Sequence, residues 1–342
     1  MANWKMRITR GVRARARWWF GVDGDELEID PIEQADLAFV KEHFPRPKFF
    51  VFGYPRSGTT LLARLLRLHP NVHCNWQAQI ATGPDDLMSL MARPALGNWL
   101  LRPSNRWTNK SNALPLLIRT AADTILERGG QQAGAHWVGD KTPTARMDNA
   151  VDRLSCIYPD AWLMAIVRDG RDAALSQRFQ AFIDQPETLS LSDLRLRDAL
   201  ASDPADFGAD GRSIFSPGWL RRVASDWCNS VFHGHQLALK AYGDRYQPLR
   251  YEDLLSTSWE TMVRLWDALG AEENGLDLEA AVEAEMQSNP AASWHTEAAP
   301  QLVAGLQRGT VGGWQDWFTQ SDRAVFEAVA ADGLRQWGYL AH

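Results

Sequence analysis

Residues 49–69 read FFVFGYPRSGTTLLARLLRLH. The first part is apolar without alternation, as a strand buried on both faces requires. The last part has leucines at helical spacing and stops before Pro70. Residues 161–176, AWLMAIVRDGRDAALS, repeat the same grammar. Strands are expected at Phe49–Tyr54, His136–Lys141, Ala161–Val167 and Gln247–Tyr251. Helices are expected at Thr59–His69, Ser111–Arg128, Met147–Tyr158, Arg171–Phe182, Trp219–Tyr242, Trp259–Leu269 and Ser321–Leu334. Strands that alternate with helices imply an α/β fold with a central parallel sheet flanked by helices.

The chain has 342 residues, 45% of them hydrophobic and 23% charged, so a sizeable core needs no staples. Its net charge of −6 argues against a nucleic-acid partner. Cys74, Cys156 and Cys228 lie far apart without CxxC spacing, which implies neither a disulfide frame nor a zinc cluster. A cytoplasmic protein is expected. Residues 1–45 form a basic and aromatic arm, with Lys5, Arg7, Arg10, Arg13, Arg15 and Arg17 before Trp18, Trp19 and Phe20. Such an arm suits either packing on the chain's own domain, packing on a second copy in a homo-oligomer, or peripheral contact with an anionic membrane. Residues 46–342 are expected to be one domain. Its stretches 78–110 and 183–218, rich in Pro, Gly, Asp and Ser, read as inserts or lids.

Three segments carry chemistry. Gly53 to Thr60 joins a strand to a helix start, where unpaired N–H groups attract anions. The Gly53-x-x-x-x-Gly58 spacing equals the first part of a Walker A loop, yet Thr59 stands where its lysine would be and the cation is Arg56. Arg168 and Ser176 sit at the carboxyl end of the second apolar strand, the edge where open α/β sheets bind ligands. Arg168 can grip a phosphate bidentately. Gln307 to Thr319 adds a cation, glycines and aromatics in a loop able to cover an anion.

Together these segments resemble the PAPS-dependent sulfotransferases, PAPS being 3′-phosphoadenosine 5′-phosphosulfate. GYPRSGTTLL resembles the family's 5′-phosphosulfate loop in its carbohydrate, tyrosyl-protein and bacterial form; IVRDGRDAALS resembles its 3′-phosphate motif. RGTVGGWQDWFT is similar to the RKGxxGDW flap of the cytosolic branch, RYEDL (250–254) to a family strand end, and GDKTP (139–143) to a GEKTP element. The resemblance spans residues 49–319 in family order and implies a P-loop-like three-layer domain. It implies that Pro55, Arg56, Ser57, Gly58, Thr59 and Thr60 hold the 5′-phosphosulfate. Arg168 and Ser176 would hold the 3′-phosphate with Arg308 and Gly309, and Tyr251 would lie beside the nucleotide. Arg56 and Lys141 would be the catalytic cations of a metal-independent in-line sulfuryl transfer to a hydroxyl or amine, with release of PAP.

One departure matters. Relatives carry a glutamate as general base after the first helix, and here the segment reads HPNVHCNWQAQI, with Gln77 at or near that position. An amide cannot take the proton. Asp140, His136 and His73 are substitute candidates. Trp76, Gln77 and Gln79 are candidates for contact with a small-molecule, sugar, lipid or peptide acceptor. Trp99, Trp107, Trp137, Trp219 and Trp317 would supply aromatic walls or ordinary packing. Two alternatives stay open: a P-loop kinase or NTPase, and a non-catalytic PAP-binding homologue without a base.

Overall fold

The computed structural model describes residues 30–82, 87–91, 93–105, 110–271, 277–288 and 311–341. Among them, β1 (Lys48–Phe52), β2 (Val72–Trp76), β3 (Trp137–Lys141), β4 (Trp162–Val167) and β5 (Tyr246–Arg250) form one parallel sheet in the order β2-β3-β1-β4-β5. The helices that matter here are α1 (Thr59–Leu66), α2 (Lys110–Ala133), α3 (Met147–Ile157), α4 (Gly170–Asp184), α5 (Leu191–Ser202), α6 (Pro217–Cys228), α7 (Gly234–Tyr242), α8 (Tyr251–Ser256), α9 (Ser258–Leu269) and α10 (Gln320–Gln336).

The apolar strands are continuous because both faces are covered. Phe49 and Val51 pack with Met164 and Ile166 against Leu62, Leu65 and Leu66 of α1 and Met262, Leu265 and Trp266 of α9. Phe50 and Phe52 point the other way and join Leu163 and Ala165 against α2, α3 and α7. The period of two along a strand divides β1 between these layers. A third cluster, around Phe179, Phe182, Trp227 and Phe326, packs α4, α6 and α10 together. Among the described residues no helix is long and apolar enough to cross a membrane.

Several elements differ from the expectation, and three show why. β2 goes unseen in the sequence because it is an edge strand: His73, Asn75 and Trp76 are partly or fully exposed, so no apolar run marks it. Residues 191–202 form a helix, α5, whose Ser190 side chain caps the Asp193 N–H. Its Asp193 also pairs with the buried Arg178 of α4. The long helix expected from Trp219 to Tyr242 runs without a break but passes through a π turn at Asn229–His233 between α6 and α7.

At the amino end of β1 a buried charge network ties α2 beneath the sheet. Asp123, fully buried, accepts from Arg119 Nε at 2.8 Å and from the Tyr158 hydroxyl at 2.9 Å, with Lys48 Nζ at 3.9 Å. Arg119 also reaches Asp160 at 2.8 Å, and Lys48 reaches Glu127 at 2.9 Å. Removing Asp123 takes the acceptor from the buried Arg119 Nε and the Tyr158 hydroxyl, although Arg119 keeps Asp160 and Lys48 keeps Glu127. Asp123→Ala should lower the unfolding free energy by about 3–5 kcal/mol. Urea denaturation checks this, and a loss below about 1 kcal/mol would show that the network carries little of the stability.

Candidate active site

The loop after β1 is built from backbone constraints. Gly58 has φ 93°, and a Cβ on it would lie 2.4 Å from the Tyr251 ring, so the position excludes any side chain. Arg56 also has positive φ, 72°, which a non-glycine residue adopts only when its surroundings hold it there. The Ser57 N–H donates to the Tyr54 carbonyl at 3.0 Å and closes the turn. Helix α1 then begins at Thr59 with no side-chain cap and no acidic residue in its first turn. Its first N–H groups therefore face the loop as unshared donors. Ser57 is fully buried, and its hydroxyl has no hydrogen-bond partner. A buried donor without an acceptor, beside an uncapped helix start, is chemistry that an anion completes.

The motif after β4 comes to the same place because β4 is hydrogen-bonded to β1. Arg56 Nε donates to Ser176 Oγ at 3.0 Å. Arg168 Nη1 donates to the Arg56 carbonyl at 3.3 Å, and its guanidinium stands 4.8 Å from the Tyr251 ring centre. Gln177 donates to the Pro55 carbonyl at 3.3 Å. The remaining charges of the motif are structural. Asp169 caps α4 through the Arg171 N–H and chelates the Arg171 side chain at 2.8 and 3.0 Å. Arg171 continues to Glu327 and the Tyr339 carbonyl, both at 2.8 Å. Asp172 accepts from the Gly312 and Trp314 N–H groups at 2.8 and 2.9 Å, so α4 also anchors the chain that enters from residue 311 onward.

β3 lies on the other side of β1 and delivers Asp140 and Lys141. The Lys141 ammonium donates to Thr60 Oγ1 at 3.2 Å and sits 3.9 Å from the Trp76 ring centre. Burial pulls its pKa below the ordinary lysine value. Asp140 is buried, which pushes its carboxyl pKa up. Both its oxygens are engaged: Oδ1 accepts from the Ala78 N–H at 2.9 Å and Oδ2 from the Thr142 hydroxyl at 2.7 Å. Trp76, Gln77 and Gln79 are exposed at the carboxyl end of β2, beside Lys141.

The structure thus gathers Pro55, Arg56, Ser57, Gly58, Thr59, Thr60, Lys141, Arg168, Ser176 and Tyr251 along one sheet edge, with Trp76, Gln77 and Gln79 beside them. His136 does not join them. It precedes β3 and is exposed at the strand end opposite Lys141, about 16 Å away at strand rise. His73, near the start of β2, is bonded to Asn75 Oδ1 at 2.9 Å. Trp137, Trp219 and Trp317 pack inward, the last two against Phe215 and Phe179, whereas Trp76 and Trp99 are half exposed. Arg308, Gly309, Trp107 and residues 1–29 of the arm lie outside the described residues. Gln177 and Asp172 support the site without having been singled out from sequence. Their signal was position, one residue after Ser176 and one helical turn after Arg168. Among the described residues no group of three or more His, Cys, Asp or Glu side chains is arranged to hold a metal.

The donor set fits a nucleotide that carries two separated phosphate groups: backbone N–H groups, hydroxyls and Arg56 at the β1 loop, Arg168 and Ser176 at the β4 motif. A model of the sulfotransferase family matches residues 47–274. Protein-tyrosine sulfotransferase 2 of Gallus gallus is 26% identical over 149 residues, 44% of this chain and 38% of that protein. Protein-tyrosine sulfotransferase 1 of Homo sapiens is 26% identical over 129 residues, 38% of this chain and 33% of that protein. The chain therefore spans little more than a third of the curated relatives it matches. Among solved structures, mouse sulfotransferase SULT7A1 complexed with PAP aligns with a TM-score of 0.44 at 18% identity over 84% of this chain and 85% of that one. Because the family match takes in well over half of the residues, including β1 to β5 and the loops of the site, this chain belongs to the sulfotransferase family.

Proposed function

We propose that the chain transfers a sulfuryl group from PAPS to an acceptor hydroxyl or amine and releases PAP. The observation that carries this reading is the meeting of the β1 loop with Arg168 and Ser176, where Arg56 bridges them through Ser176 Oγ. A single-phosphate site would need only the first half. Residues 46–342 work as one catalytic domain, with 78–110 and 183–218 as inserts on the acceptor side.

When bound, PAPS supplies an activated sulfuryl group whose transfer leaves negative charge on the 5′-phosphate oxygen. Ser57, Gly58, Thr59 and Thr60 hold the 5′ end through N–H and hydroxyl donors. Arg168 and Ser176, with Arg308 and Gly309, hold the 3′-phosphate, and Tyr251 backs Arg168. Arg56 and Lys141 stabilise charge that grows only as the bond breaks, which lowers the barrier rather than tightening ground-state binding. Gln77 cannot accept the acceptor's proton, because its amide has no basic site. That leaves turnover limited by the weak acidity of the hydroxyl acceptor itself.

The reading stands or falls on labelled-sulfate transfer from PAPS, with calorimetry of PAP binding. Turnover that persists in EDTA separates it from a P-loop kinase or NTPase, which needs Mg²⁺. PAP binding without transfer to any acceptor would instead mark a non-catalytic homologue.

Arg56→Ala should cut kcat by about 10²–10³-fold, the scale of losing one transition-state donor, while PAP affinity falls less than about tenfold. Equal losses in both would make Arg56 a binding residue only. Gln77→Glu should raise kcat for hydroxyl acceptors at least about tenfold, since a positioned base is worth 10²–10⁴. No gain would mean the proton leaves by another route. Lys141 must be charged to act, and its lowered pKa means the charge is lost at a lower pH than in an exposed lysine. The pH profile of kcat should therefore fall on the alkaline side, and Lys141→Arg should remove that limb, because a guanidinium keeps its proton. An unchanged limb would assign it to another group.

A further inference from the structure

Gln77, Gln79 and Arg56, with φ of 55°, 51° and 72°, are the non-glycine residues at positive φ among the described residues. All three lie at the candidate site. Long side chains disfavour that conformation, so it persists only where surrounding bonds impose it. Arg56 belongs to the anion loop. The turn at 77–79 has no such explanation, and the bonds that impose it converge on β3. The Gln77 N–H donates to the Lys141 carbonyl at 2.9 Å. The Ala78 N–H, between the two strained glutamines, donates to Asp140 Oδ1 at 2.9 Å. The Gln79 carbonyl accepts from the Leu87 N–H at 3.0 Å.

Asp140 is 2% exposed and lies beside Phe50, Phe52, Ile80 and Leu154. An α/β core would ordinarily fill such a place with an aliphatic residue. A buried carboxylate is retained only where donors occupy it, and here the Ala78 N–H and the Thr142 hydroxyl do so. Its oxygens face inward to these donors, which leaves it poorly placed to take a proton from an acceptor.

The turn presents a specific surface. The Trp76 ring covers the Lys141 ammonium with one face, at 3.9 Å, and is 51% exposed. The Gln77 and Gln79 amides stand exposed next to it. Uncharged amides donate to and accept from hydroxyls, and an indole face stacks on an aromatic ring or on the C–H face of a sugar. On the reading that the chain is a sulfotransferase, we infer that Asp140 is a positioning residue. It holds the strained 77–79 turn so that Trp76, Gln77 and Gln79 recognise an uncharged, ring-bearing hydroxyl acceptor, a phenol or a sugar.

The test uses the full chain, wild type and Asp140→Asn. An asparagine cannot accept from both the Ala78 N–H and the Thr142 hydroxyl with the geometry of a carboxylate. Hydrogen exchange at the Ala78 amide should accelerate at least tenfold. With labelled PAPS, the KM for 4-methylphenol or a phenyl glycoside should rise at least tenfold, while the KM for PAPS and the Kd for PAP stay within twofold. Adding Gln79→Asn, which keeps an amide but tolerates positive φ better, should recover part of the acceptor KM. Unchanged exchange in Asp140→Asn overturns the clamp. So does a PAPS KM that moves with the acceptor KM, and so does a hundredfold fall in kcat at constant acceptor KM, which would make Asp140 the base. An amine or a ringless alcohol preferred over both ring acceptors, or PAP binding without turnover of either, overturns the acceptor class. Absence of PAP binding overturns the sulfotransferase reading instead, and the exchange measurement still decides the clamp.

Discussion

Placing β1 between β3 and β4 in a parallel sheet is the constraint on which the site depends. Parallel strands end on the same edge, so three loops distant in sequence emerge side by side. The β1 loop brings Arg56, the β4 motif brings Arg168 and Ser176, and the β3 end brings Lys141. The carbonyl of Gly53 accepts from the Thr144 N–H at 2.9 Å, and that of Val51 from the Thr142 N–H at 3.1 Å, so the chain leaving β3 is laced along β1 before it departs. Without that adjacency the cations would be isolated surface charges, each weak in water.

The polar groups inside this framework divide into two kinds. Some are fully paired and hold the fold: Asp169 with Arg171, Asp172 with the N–H groups of Gly312 and Trp314, Asp123 with Arg119 and Tyr158. Others are left for something else to satisfy. The Ser57 hydroxyl is buried without a partner, and the start of α1 lacks a side-chain cap. The Ser57 hydroxyl differs from other unpartnered buried groups, such as those of Ser230 and Tyr242, in standing next to an uncapped helix start. Positive φ at Arg56, Gln77 and Gln79 adds backbone strain at the same edge, which the surrounding hydrogen bonds must hold.

Much of the fold and of the anion site could be read in advance because its signals are local. Buried strands show as apolar runs, and an anion loop needs glycine and hydroxyls at fixed offsets within a few residues. β2 escaped notice because half of an edge strand faces water and so carries no apolar run. Helix α5 escaped because its stretch is polar and Leu191 at its start points into solvent at 76% exposure, although the Ser190 to Asp193 cap was there to be seen. His136 stands at the start of the strand that ends at Lys141, so the strand's own length separates the two.

The sequence by itself determined the layer architecture, the β1 loop and the residues able to bind an anion, since these follow from periodicity and from chemistry within one segment. Tertiary structure alone decided that Arg56 meets Ser176, that Lys141 is sheathed by Trp76, and that Asp140 accepts from the Ala78 N–H. Those are contacts between segments up to 120 residues apart. They depend on strand order and on the direction in which a side chain leaves the sheet, and neither is written in any local stretch of chain.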